Sequence, residues 1–163
     1  MQQILTATVL LIASVSAVAM TVTEKSLDTE DHRPTDFQAL EQFIRNRHEE
    51  IQGQNGQWLF QVGQVTVMVL ADEQHNRMRI MSPVADAANL DPQILMTMLE
   101  ANFDRALDAR YAVWQGQVWS VYLHPLASLI EPQFHKAVDQ VVQLRQTFGT
   151  TYSSSHIVFG QDP

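Results

Sequence analysis

The sequence contains no cysteine. That excludes disulfides, thiolate nucleophiles, Cys-ligated zinc and iron–sulfur clusters. Basic residues are also scarce: 10 Lys and Arg stand against 18 Asp and Glu, a formal charge of -8 at pH 7. Such a chain repels a phosphate backbone, which argues against a nucleic-acid partner. The sequence holds no HExxH, no GxxxxGKS/T and no GxGxxG, so neither a helix-borne zinc pair nor a phosphate cradle is expected. It shows no internal repeat and no low-complexity tract. What remains is a chain of 163 residues, 45% hydrophobic and 17% charged. That is a globular balance, with enough length to bury one core.

The N-terminus stands apart. Ile4 to Ala19 reads ILTATVLLIASVSAVA without a charge and ends in the small-x-small group Ala17-Val18-Ala19. Residues 1–19 are therefore expected to be a secretory signal peptide, which would make the protein exported, periplasmic or secreted. If uncleaved, the run is a membrane anchor, because extending it to Val22 reaches the lower limit for spanning a bilayer. Residues 20–35 are polar and acidic and read as a linker. The folded domain is expected over residues 36–152, with a tail over 153–163.

Within that domain the periodicities predict three helices and five strands. Phe37, Leu40, Ile44, His48 and Ile51 recur at helical steps, so a first helix is expected from about Asp36 to Gln52, stopped by Gln54-Asn55-Gly56. Glu41 and Arg45 form an i,i+4 pair on its outer face. Strands follow at Trp58–Val62, Val65–Ala71 and Arg77–Ser82. Gly63-Gln64 suits a type II′ hairpin, and Pro83 is expected to end the third strand. A second helix starts near Pro92 behind Asp91 as N-cap. Strands at Tyr111–Trp114 and Val118–Leu123 are joined around Gln115-Gly116. A last helix runs from Pro132 to Phe148 with Phe134, Ala137, Val138, Val141 and Leu144 on its apolar stripe. The order α-β-β-β-α-β-β-α with short hairpins is an α+β fold, one twisted antiparallel sheet packed by helices.

Apolar residues exceed what one sheet face and the helix stripes need. Leu59, Met68, Leu70, Met81, Trp119 and Leu123 fall on the strand parity opposite the core set. In the second helix, Leu95, Met98, Leu99 and Phe103 make one stripe that Ile94 and Met96 widen. These residues are the candidates for a protein-binding surface or for a homodimer through the second helix.

Other constellations are weaker. His48 lies on an apolar helix face and reads as a core histidine. His124 and His135 could meet in space, and Asp104 and Asp108 could pair as acid and base, although Arg105 and Arg110 beside them favour an ion-pair network. Ser153-Ser154-Ser155-His156 places hydroxyls near an imidazole without a nucleophile elbow. No metal and no cofactor is expected.

The element order, with LEANFDRALDARYAVWQGQVWSVYLHPL and the Phe/Val/Leu helix after it, resembles the class I type III secretion chaperones and the related YbjN-like proteins. Leu99, Asn102, Phe103, Ala106, Ala109, Arg110, Tyr111, Gly116, Val118, Leu123, Pro125 and Leu126 carry the resemblance, which covers about residues 36 to 150. It implies a small acidic α/β domain that often dimerises and binds an extended polypeptide on apolar surface. The N-terminal run departs from that family, whose members act in the cytosol without an export signal. The expected function is thus non-catalytic, chaperone-like protein binding, with a homodimer, another polypeptide or both as partner. The alternative is an extracytoplasmic small-molecule-binding or enzymatic domain using the His124/His135 or Asp104/Asp108 region.

Overall fold

Among the described residues, six strands build one antiparallel sheet in the order β1-β2-β3-β4-β6-β5, and three α-helices accompany it. The structure is a computed structural model and describes residues 33–155. The expected signal peptide or anchor and most of the linker lie outside the described residues, as does His156. Among the described residues, no helix is long and apolar enough to cross a membrane.

Helix α1 (Phe37–Arg45) is capped by Asp36, whose side chain accepts the Ala39 N–H at 2.8 Å. The expected Glu41–Arg45 pair forms at 2.8 Å. The helix is shorter than its periodicity suggests. His48 lies beyond it in a turn, and Ile51 belongs to a strand, β1 (Ile51–Gln54). The cause is Asn55-Gly56, with φ of 53° and 89°. A two-residue loop with both φ positive is a type I′ hairpin turn, so it pairs β1 with β2 (Gln57–Val62), Ile51 opposite Phe60. The pair acts as a hairpin, not as a helix stop.

Gly63, at φ 59°, then turns β2 into β3 (Val65–Asp72), the expected II′ geometry. The fourth strand, β4 (Arg77–Asp86), runs through Pro83 instead of ending there. Pro83 has no N–H to give a ladder, and the register against β6 (Gln117–His124) shifts between Pro83 and Ala85, a bulge that accommodates the ring. Helix α2 (Pro92–Asp104) begins behind Asp91, whose carboxylate accepts the Gln93 N–H at 2.7 Å. Strand β5 (Arg110–Trp114) joins β6 through Gln115-Gly116, a second turn with both φ positive. Helix α3 (Glu131–Gln146) follows.

Strand parity divides the sheet. The inner face carries Trp58, Phe60, Val67, Val69, Met78, Ile80, Val118 and Tyr122 into one core with Leu40 and Ile44 of α1, Met98 and Ala101 of α2, and the α3 stripe of Phe134, Ala137, Val138, Val141 and Leu144. Packing extends past residue 152. Ser153 and Ser154, assigned to the tail from sequence, are buried. The Ser154 hydroxyl accepts the Leu107 N–H at 2.7 Å, and the Ser153 hydroxyl donates to the Arg105 carbonyl at 3.2 Å.

Candidate functional site

The other face of the sheet is apolar as well. Leu59, Met68, Met81 and Val121 lie opposite one another in a row across β2, β3, β4 and β6. The next row holds Leu70, Arg79 and Leu123, and Pro83, Trp119 and Ala112 form a third. Met81 and Val121 are buried by their neighbours yet stand outside the helix-packed core, while Leu123 is 56% exposed. An antiparallel sheet ordinarily turns a polar face to water. Here the centre of that face is hydrophobic, and no described helix packs on it. Two shallow hollows open there: one of about 280 Å³ over Gly53, Leu59, Met68 and Leu70, and one of about 360 Å³ over Leu70, Arg77, Arg79 and Leu123. Met68, Leu70, Met81 and Trp119 therefore share one surface, as their parity predicts.

A second apolar surface lies on α2. Leu99 is 63% and Phe103 84% exposed, and Met96 joins them one turn earlier. Met98 differs from the other sequence candidates on this helix. At 3% exposed it belongs to the core and cannot meet a partner. The stripe expected from Leu95 to Phe103 is thus two stripes, an inner one through Met98 and Ala101 and an outer one through Met96, Leu99 and Phe103. Between α2 and β5 lies a groove of about 350 Å³ lined by Leu95, Leu99, Tyr111 and Val113.

The chemical candidates are held in structural roles. His124 shares a hydrogen bond with Gln133 and sets its Nδ1 2.7 Å from the Pro125 carbonyl, whereas buried His135 pairs with Glu131 at 3.2 Å. Asp104 pairs with Arg105 at 3.0 Å, and Asp108 accepts from the Gln140 amide at 3.3 Å. Arg110 does not join these carboxylates. Its guanidinium donates to the backbone carbonyls of Ala106, Leu107 and Ala109 and pins the turn before β5. Among the described residues, no three His, Asp or Glu side chains converge as metal ligands.

The model of the Tir chaperone protein (CesT) family matches residues 38–148, from α1 to just past α3. The chain belongs to the Tir chaperone protein family. Its fold is similar to a chain in the structure of the HopA1–SchA chaperone–effector complex, with TM-score 0.54 and 11% identity over 67% of this chain and 88% of that one. It is similar too to a chain in the structure of the Yersinia pestis type III secretion chaperone SycH in complex with a stable fragment of YscM2, with TM-score 0.53 and 15% identity over 69% of this chain and 98% of that one. No curated protein matches the sequence.

Sequence reasoning did not single out Asn102 or Arg79 as site residues. Asn102 was visible only as part of the family pattern. Arg79 was visible as an arginine alternating with Met78 and Ile80 in a strand, a signal that parity alone turns into a charge on the apolar outer face.

Proposed function

We propose that the protein is a non-catalytic, chaperone-like module that binds an extended stretch of another polypeptide on the outer face of its sheet. The row from Leu59 through Met68 and Met81 to Val121 carries this reading. Burying apolar surface yields about 25 cal/mol per Å², and a face of this composition left in water is a standing drive toward association. The sheet is braced from behind by α1 and α3, so the surface is in place before a ligand arrives. The structural relatives occur in complexes of chaperones with other proteins, which supports the reading.

A fluorescently labelled ten-residue peptide of alternating Leu or Val and polar residues tests it. Saturable anisotropy is expected with the full chain. Leu59→Asp together with Leu123→Asp should weaken it at least about tenfold, the order expected from loss of one or two well-buried side chains. Gln146→Asp, on α3, should change nothing. Absence of saturable binding, or equal binding by the double variant, would overturn the proposal.

Two further parts of the proposal concern assembly and place. A second copy docks through the outer stripe of α2, where Met96, Leu99 and Phe103 present a contiguous apolar edge beside Val113. The uncharged run from Ile4 to Ala19 directs export, which the intact mass of protein recovered outside the cytoplasm tests: loss of the first 19 residues supports a cleaved signal, and a full-length cytosolic product overturns it.

A further inference from the structure

Charge on the outer sheet face runs against that of the molecule. The chain carries a formal charge of -8, yet the strands of this face bear Arg77, Arg79 and Arg110 against two carboxylates, Asp72 and, past the Pro83 bulge, Asp86 opposite Gln117. Both are already engaged: Asp72 accepts from the His75 backbone N–H at 2.9 Å and lies 2.7 Å from its ring Nδ1, and Asp86 accepts from the Ala88 N–H at 2.9 Å and the Asn89 amide at 3.1 Å. Most arginines of the domain are likewise committed. Arg45 is held by Glu41, Arg105 by Asp104, Arg110 by three carbonyls and Arg145 by the Pro83 carbonyl at 3.2 Å. Arg77 donates to the Asn76 carbonyl at 2.9 Å. Arg79 differs. It is exposed in mid-strand, and its side chain makes no hydrogen bond or ion pair with any described residue.

Its position is specific. Arg79 stands directly between Leu70 on β3 and Leu123 on β6, with the 360 Å³ hollow around it. A segment lying across these residues would exclude water from the guanidinium. Left unpaired, the covered charge would cost binding energy, whereas a carboxylate opposite it gains a charge-assisted and geometrically bidentate bond. The surrounding negative charge repels acidic segments elsewhere on the surface, so this spot would set register as well as affinity.

We propose that the polypeptide bound on this face is an apolar, extended segment carrying an acidic side chain that seats on Arg79 between Leu70 and Leu123. The inference rests on the docking reading above and narrows its partner. The probe is a set of three labelled ten-residue peptides, identical alternating Leu/Val sequences with Glu, Gln or Lys at one central position. With the full wild-type chain, the Glu peptide should bind about tenfold more tightly than the Lys peptide, with Gln between, and the gap should shrink in 0.5 M salt. Arg79→Gln should bind all three alike, and Arg79→Glu should reverse the order. The position is exposed, and unchanged thermal unfolding of each variant verifies the fold. Equal binding of the three peptides by the wild-type chain, or a preference that survives Arg79→Gln, overturns this inference and leaves the docking reading standing. Failure of all three to bind overturns both.

Discussion

The side-chain amide of Asn102 pairs with both backbone polar groups of Tyr111: its Nδ2 donates to the carbonyl at 3.1 Å, and its Oδ1 accepts from the N–H at 2.7 Å. Tyr111 lies on β5, the last strand of the sheet, so these are edge groups with no strand beside them. Asn102 thus does for one residue what a neighbouring strand would do, and it ties α2 to the sheet. The Tyr111 hydroxyl extends the tie by donating to the Leu144 carbonyl on α3 at 2.7 Å. Burial raises the pKa of that phenol well above its ordinary value, so it stays a donor at any working pH. Replacing Asn102 by Leu removes the donor and the acceptor together. A loss of about 2 kcal/mol is expected, since each partly buried group left unpaired costs about 1 to 3 kcal/mol less what water restores. Urea unfolding of the variant checks this, and Asn102→Asp, which keeps the acceptor, should fall between.

The two Gly turns separate backbone strain from steric contact. Gly56 and Gly116 both close I′ hairpins, with φ of 89° and 76°. A Cβ on Gly116 meets open space, whereas one on Gly56 would lie 2.6 Å from the Ala71 carbonyl oxygen and 2.9 Å from the Phe37 ring. Gly116→Ala should cost about 1 kcal/mol, the conformational part alone. Gly56→Ala should cost about 3 kcal/mol, because the β1–β2 turn can no longer tuck against β3, where the Ala71 N–H donates to the Gly56 carbonyl at 2.7 Å. Paired thermal melts distinguish the two; equal losses would refute the steric part.

Much of this architecture was legible because alternation and helical spacing report burial directly. Trp58 through Ala71 and Phe134 through Leu144 could be placed from their periods. The misreadings share a cause. Ile51 sits at a helical step from Ile44, but the Asn55-Gly56 turn commits it to a strand, and a local turn outweighs a weak period. Pro83 should end a strand in isolation, yet a bulge lets β4 continue. On α2 the sequence showed too many apolar positions for one face. It could not divide them into Met98, which is core, and Leu99 and Phe103, which are not, because that depends on how α2 is rotated against β5. Asn102 fixes that rotation, and its contacts with Tyr111 are tertiary.

His48 makes the fold sensitive to mild acid. Its ring stacks on Phe60 with centroids 4.4 Å apart, half-buried in the turn after α1. Burial lowers its pKa, the nearby His135 and Arg47 add to the effect, and Asp139 opposes it. The unfolded chain therefore binds this proton more readily than the folded one. Stability from neutral His48 is complete above its unfolded pKa, near about 6.5, and is lost as pH falls through the lower folded value. Glu131 and Glu41 act further down. Glu131 is held low by the Asn46 amide and then His135, and Glu41 by Arg45 and then Trp58, so their contributions disappear only in the carboxylate range. Melting temperature should fall in two stages on acidification, and His48→Gln should flatten the stage between about pH 7 and 5 while leaving the lower one. An unchanged upper stage in that variant would assign the slope elsewhere.

The two stripes of α2 predict opposite responses to the same substitution. Leu99 and Phe103 stand in water in the isolated subunit, so an Asp there removes little from the fold and places a charge in the interface proposed for a second copy. Leu99→Asp and Phe103→Asp should melt within about 0.5 kcal/mol of wild type, the range for surface changes, while light scattering shows the mass halved at micromolar concentration. Met98 lies one residue before Leu99 but is buried in the core to which Ala101 and Ala106 also belong. An Asp there buries an unpaired carboxylate in apolar surroundings, and a loss of about 4 kcal/mol or more is expected, enough to unfold a domain of ordinary stability. If Leu99→Asp instead unfolds the chain, its side chain is core. If the wild-type chain is already a monomer at high concentration, the outer stripe serves something other than self-association. The proposed dimer stands only if Leu99→Asp dissociates it without loss of stability.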